Sequence, residues 1–390
     1  MIIGISGPFN PLSAKDYFDN SVQLPNINLT ASSVNTYVLS LLEMGFKVVI
    51  FTIDITEKKN KKYIGKNITV YTTYNSFNLP FARRLRVHKR IKNQIKEAIN
   101  EIDVLHAEWT YEYAFASLSF IEEKKVFCSV RDWCPYLLSL ADSIKDKLYW
   151  GISYYMFKNV MKEKRIVFIA NSEYTYNQIL NYYPDNKTVI IPNPIKRSYI
   201  LEERDKYPAE SVFVSISHSL EDPRKNYHIL LKSFREYLKE DKNSILVLIG
   251  LYSNEWLKKM HNENLLHNVQ LMGPLNHEEI FNVLDNSSCL IHPSLEETFG
   301  NIFLEAMCRR IPCIGGEKSG AVPQVLGYGK FGILCDVTDI SSLTNAMSKI
   351  KNRELISEII ESSTIYIKET YADNIIRDAH IRLYEKYLNN

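Results

Sequence analysis

The stretch CLIHPSLEETFGNIFLEAMCRRIPCIGG, residues 289–316, decides the fold because its pattern changes twice within a short segment. The runs CLIHPS and IPCIGG at its two ends are short and mostly apolar, as strands buried on both faces of a sheet are. NIFLEAM, between them, has apolar residues at helical spacing. A strand, a helix and a second strand in this order predict a parallel sheet with helices packed on it.

The same alternation occupies both halves of the 390-residue chain. Strand-like runs occur in MIIGIS (1–6) and KVVIFTI (47–53), at Ile102–His106, Lys125–Val130, Arg165–Ala170 and Lys187–Ile191, and again from SVFVSIS (211–217) onward. We predict the α/β class, with two Rossmann-like, doubly wound domains facing each other across a cleft. The predicted domains are residues 1–193 and 194–370, with a linker in PNPIKRSY and a final helix of about 371–390 that packs back on the first domain.

Composition and charge are those of an ordinary globular protein. Hydrophobic residues make up 45% of the chain and charged residues 24%, and the net charge of +2 gives no reason to expect a nucleic-acid partner. The six cysteines form no C-x-x-C pair, so we expect reduced thiols. No apolar run reaches the roughly 18 residues of a membrane span. MIIGISGPFNP lacks the basic start of a signal peptide, and we expect a cytoplasmic location.

Two carboxylates, Glu297 and Glu305, frame the loop and the helix start of the opening stretch. On a continuous helix, eight residues would separate them by about 12 Å, whereas the paired acids of glycosidases stand roughly 5–9.5 Å apart. This spacing argues against a shared acid–base role. The helix start between them, Thr298–Asn301, is a predicted anion site. A carboxylate, an anion site and a second carboxylate match the sugar hydroxyls, diphosphate and ribose hydroxyls of a nucleotide sugar.

The segment HPSLEETFGNIFLEAMCRRIPCIGG (292–316) resembles the donor-site signature of the family 4 retaining glycosyltransferases, which have the GT-B fold. Glu297, seven intervening residues and Glu305 match the E-x7-E motif of that family. The flanking P-S, F-G, L-E-A-M and I-G-G elements are present, and SGAVPQVLGYGKFGILCDVTD (319–339) fits the same pattern. Weaker similarity extends over nearly the whole chain.

The resemblance implies a role for each residue of the motif. Glu297, which we count as catalytic, would accept hydrogen bonds from hydroxyls of the donor sugar, and Glu305 would accept them from the ribose. Backbone amides at the helix start would bind the diphosphate, and these are predicted to come from Thr298, Phe299, Gly300 and Asn301.

A cation is expected beside the diphosphate, because negative charge grows there as the glycosidic bond breaks. In EDPRKNYHILLKSF (221–234), which follows a strand-like run, Lys225 matches the lysine that the family has at this point. The family often has an arginine directly after the strand, where this chain has Ser217–His218–Ser219. Arg224 and His218 are the alternative substitutes, and we include Arg224 among the predicted donor-binding residues.

The N-terminal half contributes DVLHAEWTYEYA (103–114), with His106 and Glu108 at the carboxyl end of a predicted strand. The family commonly has D-V-x-H-x-H here, and its second histidine contacts the donor sugar. Glu108 occupies that second place, so the resemblance implies a catalytic position for Glu108 or its neighbour His106. Arg131–Asp132 is a related candidate. The alternatives are a core histidine for His106 and a local ion pair for Arg131–Asp132.

The first loop of the chain is a further candidate for diphosphate binding. Many family members have a Gly-Gly pair before the first helix, where the backbone approaches the phosphates. This chain has Gly7-Pro8 after its first strand and LTASS (29–33) before the helix, so either Gly7 or the Thr30–Ser33 amides are predicted to face the diphosphate. The long polar loop 9–29 suits acceptor binding.

Two segments suggest contact with a membrane surface. Phe81–Ile99 has seven basic residues and one acid, and residues 148–165 add aromatic side chains beside further lysines. A basic face combined with an apolar face binds anionic membranes. The alternative is an ordinary amphipathic helix with a solvated charged face. We therefore count peripheral contact with the inner face of the plasma membrane among the predicted interactions.

The predicted function is transfer of a sugar from a UDP- or GDP-linked donor to a hydroxyl of a glycan or lipid-linked acceptor. The expected context is bacterial surface polysaccharide, such as capsule or O-antigen, and retention of configuration is implied by the resemblance. No D-x-D motif follows a predicted strand, so no metal or other cofactor is expected. The alternatives are a nucleotide-sugar epimerase or phosphorylase on the same fold and a non-catalytic nucleotide-sugar-binding protein. A dinucleotide oxidoreductase is disfavoured because GISGPFNP lacks G-x-G-x-x-G.

Overall fold

The computed structural model describes residues 1–27, 31–56, 58–75, 80–204, 208 and 211–389, without the side chains of 80–85. The chain forms two compact units: unit 1 is Met1–Pro194 with Asp373–Asn390, and unit 2 is Ile195–Ala372. The boundaries predicted from the sequence, after residues 193 and 370, fall one and two residues before those of the structure.

Strands and helices alternate through both units. The strands are β1 (Ile2–Ser6), β2 (Lys47–Asp54), β3 (Lys61–Gly65), β4 (Ile68–Tyr74), β5 (Val104–Glu108), β6 (Lys125–Val130), β7 (Val167–Ala170), β8 (Lys187–Ile190), β9 (Val212–Ser219), β10 (Ile245–Leu251), β11 (Val269–Gly273), β12 (Cys289–His292), β13 (Cys313–Gly316) and β14 (Ile333–Cys335). The helices are α1 (Ser32–Glu43), α2 (Pro80–Ala98), α3 (Glu112–Ser117), α4 (Cys134–Ser139), α5 (Ile144–Met161), α6 (Glu173–Tyr182), α7 (Tyr227–Tyr237), α8 (Asn254–Asn262), α9 (His277–Asp285), α10 (Asn301–Cys308), α11 (Val322–Val325), α12 (Ile340–Ser348), α13 (Arg353–Thr370) and α14 (Asp373–Leu388). Among the helices that the structure describes, none combines the length and the hydrophobicity of a membrane-crossing segment.

In the described part of unit 1, eight strands form one sheet in the order β3-β4-β2-β1-β5-β6-β7-β8. Neighbouring strands in it are parallel, apart from the antiparallel pair β3–β4. The strand order reverses at β1, which pairs with β2 on one side and β5 on the other. Ligands of α/β sheets bind at such a reversal, beyond the carboxyl ends of the strands. His106 and Glu108 lie on β5, next to this point.

The described strands of unit 2 form a six-stranded parallel sheet in the order β11-β10-β9-β12-β13-β14. Here the order reverses at β9, which pairs with both β10 and β12. β12 ends at His292, and residues 293–300 connect it to α10. The E-x7-E segment therefore lies where sheets of this kind bind ligands. The predicted α/β class, with two domains built on parallel sheets, is confirmed.

The β3–β4 pair at one end of the first sheet is not predicted from the sequence. β3 is short and polar, and β4 carries threonines and tyrosines rather than a continuous aliphatic run. Asn67, in the two-residue turn between the strands, has φ +61°, a left-handed conformation that asparagine adopts more readily than most residues. Lys66-Asn67 is not one of the turn pairs that mark a hairpin in a sequence, so the local signal for the β3–β4 pair is weak.

Helix α14 returns the end of the chain to unit 1. It begins two residues after the predicted start, because Tyr371 and Ala372 form a separate link in which Ile195 donates its amide to the Tyr371 carbonyl (2.8 Å). α14 packs against α1. The Tyr384 hydroxyl of α14 lies 2.8 Å from the Tyr37 hydroxyl and 2.7 Å from His106 Nδ1.

Two buried histidines make unit 1 sensitive to acid. The rings of His106 and His380 lie 5.5 Å apart, and burial lowers their pKa values from 6.5 to about 4 and about 3, respectively. In the unfolded chain both take up a proton near pH 6.5, whereas in the folded protein they stay neutral to a much lower pH. The unfolded state therefore binds more protons in this interval, and stability is lost as the pH falls through it.

We expect the free energy of unfolding, measured with urea, to be level above about pH 7 and to decrease from pH 6.5 toward pH 4.5. This window lies above the normal pKa of 4.5 of the buried carboxyl of Glu108. His106→Gln is expected to reduce the decrease, and His261→Gln, on an exposed part of α8, serves as the matched control. A wild-type profile that stays flat to pH 4.5 would contradict this account.

Candidate active site

The loop between β12 and α10, here named the acidic loop (residues 293–300), is the centre of the candidate site. It ends at Gly300, whose φ of +88° lies in the left-handed region. A Cβ atom at Gly300 would stand 2.9 Å from Phe303 Cδ2, so the turn needs glycine for both its conformation and its space. Phe299 is buried with its ring edge-on to Tyr371, the centroids 5.7 Å apart. This anchor fixes the point at which α10 begins.

The start of α10 has the properties of an anion site. Within the described residues, the amides of Phe299 and Gly300 have no hydrogen-bond acceptor. The positive end of the helix dipole adds to their attraction for a negative group. The diphosphate contacts predicted for Thr298, Phe299, Gly300 and Asn301 stay predictions, and this geometry is compatible with them.

Glu297 is held in the acidic loop by two donors. Lys225 Nζ and His292 Nε2 both bond to its Oε1 atom, the histidine at 2.8 Å. Burial raises the pKa of Glu297, but the hydrogen bond from His292 and the charge of Lys225 outweigh it, so the pKa lies well below its usual range. The carboxylate is thus ionised and anchored through one oxygen. Among the described residues its other oxygen, Oε2, has no partner, and the side chain is 15% exposed.

The main chain of Glu297 is held from the loop after β13. Its carbonyl accepts a hydrogen bond from the amide of Ala321 at 2.8 Å. Gly320 passes so close that a Cβ atom there would lie 2.3 Å from the same carbonyl oxygen, and its φ is +62°. Only glycine allows this approach without displacing the loop.

Lys225 and Arg224 lie in a short turn, Pro223–Lys225, soon after β9. The carbonyl of Arg224 accepts hydrogen bonds from the Leu295 amide (2.7 Å) and Ser294 Oγ (3.2 Å), so this turn supports the acidic loop. The Arg224 guanidinium pairs with Asp222 at 2.6 Å, within its own turn. Of the two predicted cations, Lys225 therefore contacts Glu297 directly, and Arg224 contacts the loop through its backbone.

Glu305 lies in α10 with partners of its own. His277 Nε2, at the start of α9, is 3.4 Å from Glu305 Oε1. The rings of Tyr199, His277 and Phe281 form a cluster beside it, with centroid separations of 4.5, 4.8 and 5.5 Å. Burial and the charge of Glu305 raise the pKa of the Tyr199 hydroxyl. Glu297 and Glu305 thus contact different groups, as expected of two carboxylates that do not share a proton.

His106 is a fully buried histidine with both ring nitrogens engaged. Nδ1 lies 2.7 Å from the Tyr384 hydroxyl, and Nε2 lies 2.8 Å from Ser129 Oγ. Burial lowers the pKa of His106 to about 4, so the ring is neutral at physiological pH. A direct catalytic contact by His106 stays a prediction, and it would require one of these bonds to be exchanged.

Glu108 is equally buried and pairs with Arg131. Arg131 Nε donates to Glu108 Oε2 at 2.6 Å and Arg131 Nη2 to Oε1 at 2.9 Å, and Arg131 also donates to Asn193 Oδ1. Burial raises the pKa of Glu108, but the charge of Arg131 outweighs it and lowers the pKa to about 2. Arg131 therefore pairs with Glu108, while Asp132 accepts from the Tyr111 hydroxyl. Contact between Glu108 and the donor sugar stays a prediction.

Gly7 adjoins this ion pair. A Cβ atom on Gly7 would lie 2.7 Å from Glu108 Cβ, so the glycine makes room for the buried carboxylate. Its amide donates to the Phe51 carbonyl at 3.0 Å and would have to exchange that bond to bind a phosphate. The predicted diphosphate contact of Gly7 stays open, and Thr30, in the alternative segment, lies outside the described residues.

Sequence reasoning did not assign roles to several residues that contact the site. His292 entered only as part of the H-P-S run, Gly320 only as part of the downstream pattern and Asn193 only as part of the predicted linker, whereas His277 was not considered. The usable signals were a histidine at a strand end and a glycine directly before the A-V-P helix start. Both become informative only when the neighbouring strands are known.

Gly320 provides a test of how the acidic loop is held. Gly320→Ala places a methyl group against the Glu297 carbonyl oxygen in a backbone conformation that favours glycine, so Glu297 should be displaced. We expect destabilisation of about 1–3 kcal/mol and a larger loss of activity than stability alone explains. Gly329→Ala is the matched control, because Gly329 also has a positive φ (+97°) but has open space around its Cβ position. Equal effects of both variants on activity would contradict the role of Gly320.

Both halves of the chain match known families. Residues 31–199 match the family described as Glycosyltransferase Family 4, and residues 201–371 match Glycosyl transferases group 1. The capsular polysaccharide biosynthesis glycosyltransferase CapM of Staphylococcus aureus is 21% identical over 292 residues, 73% of this chain and 69% of that protein. The O-antigen chain mannosyltransferase RfbU of Salmonella typhimurium is 23% identical over 279 residues, 68% of this chain and 75% of that protein.

Solved structures agree in fold at low sequence identity. The sucrose-phosphate synthase of Thermosynechococcus elongatus superposes with a TM-score of 0.77 at 13% identity, covering 100% of this chain and 99% of that one. HepE of Anabaena, in complex with UDP, superposes with a TM-score of 0.68 at 15% identity, covering 99% of each chain. The family matches in both halves and the shared fold lead to one conclusion. The chain belongs to the family 4 glycosyltransferases and has their GT-B fold.

Proposed function

We propose that this glycosyltransferase moves a sugar from a nucleoside-diphosphate donor to a hydroxyl of a glycan or lipid-linked acceptor, with retention of the anomeric configuration. The arrangement around α10 carries the proposal. An ionised carboxylate, Glu297, precedes the helix start. The helix start suits a diphosphate, and Glu305 lies within the helix. These three features follow the order of sugar, diphosphate and ribose in the donor.

In this proposal the residues provide recognition and charge stabilisation. As the bond between the anomeric carbon and the phosphate oxygen breaks, negative charge grows on the diphosphate, and Lys225 and the α10 amides stabilise it. The acceptor oxygen attacks from the face that the diphosphate leaves, and the departing diphosphate accepts the acceptor's proton. Because the positive charge comes from the protein, the proposal includes no metal ion.

The nucleoside end of the donor is proposed to lie toward Glu305. A carboxylate beside the rings of Tyr199, His277 and Phe281 suits a ribose diol and an aromatic base. The UDP complex of HepE supports a nucleotide in this fold. Both uridine and guanosine donors remain within the proposal.

The biological context is proposed from the relatives. CapM is a capsular polysaccharide biosynthesis glycosyltransferase and RfbU is an O-antigen chain mannosyltransferase, which supports a surface polysaccharide as the product of this enzyme. Such an enzyme would act in the cytoplasm, at the inner face of the membrane. A nucleotide-sugar epimerase or phosphorylase and a non-catalytic binding protein are the alternatives.

The donor is identified by ligand-induced stabilisation, because a ligand that binds only the folded state raises the unfolding temperature. We expect one or a few UDP- or GDP-sugars from a panel to raise the unfolding temperature. The enzyme should turn these donors over only when an acceptor is present, and EDTA should not change the turnover. The product should keep the donor's anomeric configuration by NMR. Isomerisation of the donor without acceptor would indicate an epimerase. Formation of a sugar phosphate from inorganic phosphate would indicate a phosphorylase, and binding without turnover would indicate a non-catalytic protein.

The two glutamates are expected to separate binding from transfer. Glu305→Ala should weaken binding of the free nucleoside diphosphate about 10–100-fold, the loss of a hydrogen bond to a charged group. Glu297→Ala should abolish transfer and leave nucleoside diphosphate binding close to that of the wild type, measured by calorimetry. Glu255→Ala, on the exposed side of α8, is the control. Equal loss of nucleotide binding in both variants would refute this division of roles.

We also propose that unit 1 contacts an anionic membrane through α5. Ile144 is 80% exposed and Leu148, one turn later, is 51% exposed. Lys145 and Lys147 are exposed between them. Apolar side chains flanked by lysines suit the boundary between lipid head groups and acyl chains. The basic residues Arg83 and Arg84 of α2 have side chains outside the described residues.

Vesicle binding tests this surface. Lys145→Gln with Lys147→Gln should weaken binding to vesicles containing phosphatidylglycerol by about 30-fold, since each lysine contributes about 1 kcal/mol near such a surface. Ile144→Ser with Leu148→Ser should weaken it by about tenfold or more, because two apolar side chains lose their burial in the membrane boundary. Neutralising Arg83, Arg84, Arg86 and Lys89 tests the adjacent helix in the same way. Ile64→Ser is the matched control, because Ile64 is 67% exposed on the edge strand β3. Unchanged binding in all of the α2 and α5 variants would exclude the proposed surface.

A further inference from the structure

We infer that His292 is a positioning residue for the transfer reaction: it holds Glu297 so that a single carboxylate oxygen is left for the donor sugar. The inference rests on the proposed function of Glu297. It adds to that proposal a residue that touches no substrate and acts through the carboxylate.

His292 is the last residue of β12, in the centre of the second sheet. Its side chain is 4% exposed, and its ring stands edge-on to Phe303 with the centroids 5.6 Å apart. Nε2 lies 2.8 Å from Glu297 Oε1. Nδ1 is buried and, among the described residues, has no hydrogen-bond partner.

The groups around His292 determine which of its ring nitrogens carries the proton. Burial lowers the pKa of His292, although the hydrogen bond to Glu297 opposes this, so the ring is neutral and carries one N–H. The facing carboxylate is ionised and accepts only. The proton is therefore on Nε2, and His292 donates to Glu297 Oε1.

The hydrogen bond from His292 orients the carboxyl group of Glu297. Lys225 and His292 both donate to Oε1, and their different positions fix the rotation of the carboxyl group about its axis. Oε2 is then the oxygen that accepts from a sugar hydroxyl. Without His292, Lys225 alone would hold Glu297, and a flexible ammonium would move with the phosphate that it is also proposed to bind.

The comparison with His106 separates this role from a purely structural one. Both nitrogens of His106 bond to core hydroxyls, so that buried ring is satisfied by the fold itself. Among the described residues, His292 has one polar contact, to the candidate sugar-binding carboxylate, and its Nδ1 is left unpaired, which costs stability. An apolar side chain would fill this position without that cost.

A set of variants tests the inference. His292→Leu and His292→Met remove the donor, whereas His292→Gln retains an amide N–H at the place of Nε2. We expect the first two to lower kcat/KM for the donor by about tenfold or more, and His292→Gln to recover transfer to within about threefold of the wild type. Affinity for the free nucleoside diphosphate, which lacks the sugar, should stay at the wild-type level in all three and reports that they are folded.

A double-mutant cycle with Glu297→Gln distinguishes action through Glu297 from a general effect on packing. In the Glu297→Gln background, His292→Leu should cause no further loss of transfer. Three outcomes would overturn the inference alone. The losses of transfer caused by His292→Leu and Glu297→Gln could multiply in the double variant, or His292→Gln could be as impaired as His292→Leu. His292→Leu could also transfer like the wild type while Glu297→Gln is inactive. Wild-type transfer by Glu297→Gln would overturn the proposed role of Glu297, and the inference with it.

Discussion

A carboxylate that stays charged while it is removed from water is the constraint on which the candidate site depends. Burying a charge is costly unless it is paired and hydrogen-bonded, and Glu297 meets this condition with groups from several segments. Lys225 follows β9, His292 ends β12, and the loop with Gly320 follows β13. These strands are neighbours in a parallel sheet, so their carboxyl ends meet at one edge. The sheet order thus brings distant parts of the sequence to one carboxylate.

Unit 1 also contains a buried carboxylate, Glu108, that is held by groups from neighbouring strands. Glu108 ends β5, its partner Arg131 follows β6, and Gly7 follows β1, again on neighbouring strands. Both oxygens of Glu108 bond to one guanidinium, whereas Glu297 has one oxygen bound and one without a partner in the described part of the chain. The same chemistry therefore gives a carboxylate with both oxygens occupied in one unit and, among the described residues, a carboxylate with one oxygen unoccupied in the other. Burial and charge alone do not distinguish them; the number of occupied oxygens does.

The features predicted correctly from the sequence are those that depend on residues close to one another in the chain. Strand–helix alternation, the acidic loop with its helix start, and the two-domain organisation follow from short-range periodicity and one contiguous motif. The contacts of His106 do not, because Tyr384 reaches it from a helix 278 residues later in the chain. The role of Gly320 depends in the same way on a backbone contact between loops of neighbouring strands. The β3–β4 pair was not predicted because neither strand has a continuous aliphatic run: β3 is a polar edge strand, and β4, although mostly buried, carries threonines and tyrosines.

The path of the chain has a consequence for biosynthesis. Unit 2 consists of one continuous segment, Ile195–Ala372, and all of it leaves the ribosome before α14 does. Unit 2 can therefore complete its core during translation, while Tyr37 and His106 in unit 1 wait for the Tyr384 hydroxyl. The domain that is synthesised first is finished last. Until then the core residues of unit 1 that pack against Ile376, Leu383 and Tyr384 lack this cover, and exposed apolar surface of this kind promotes aggregation.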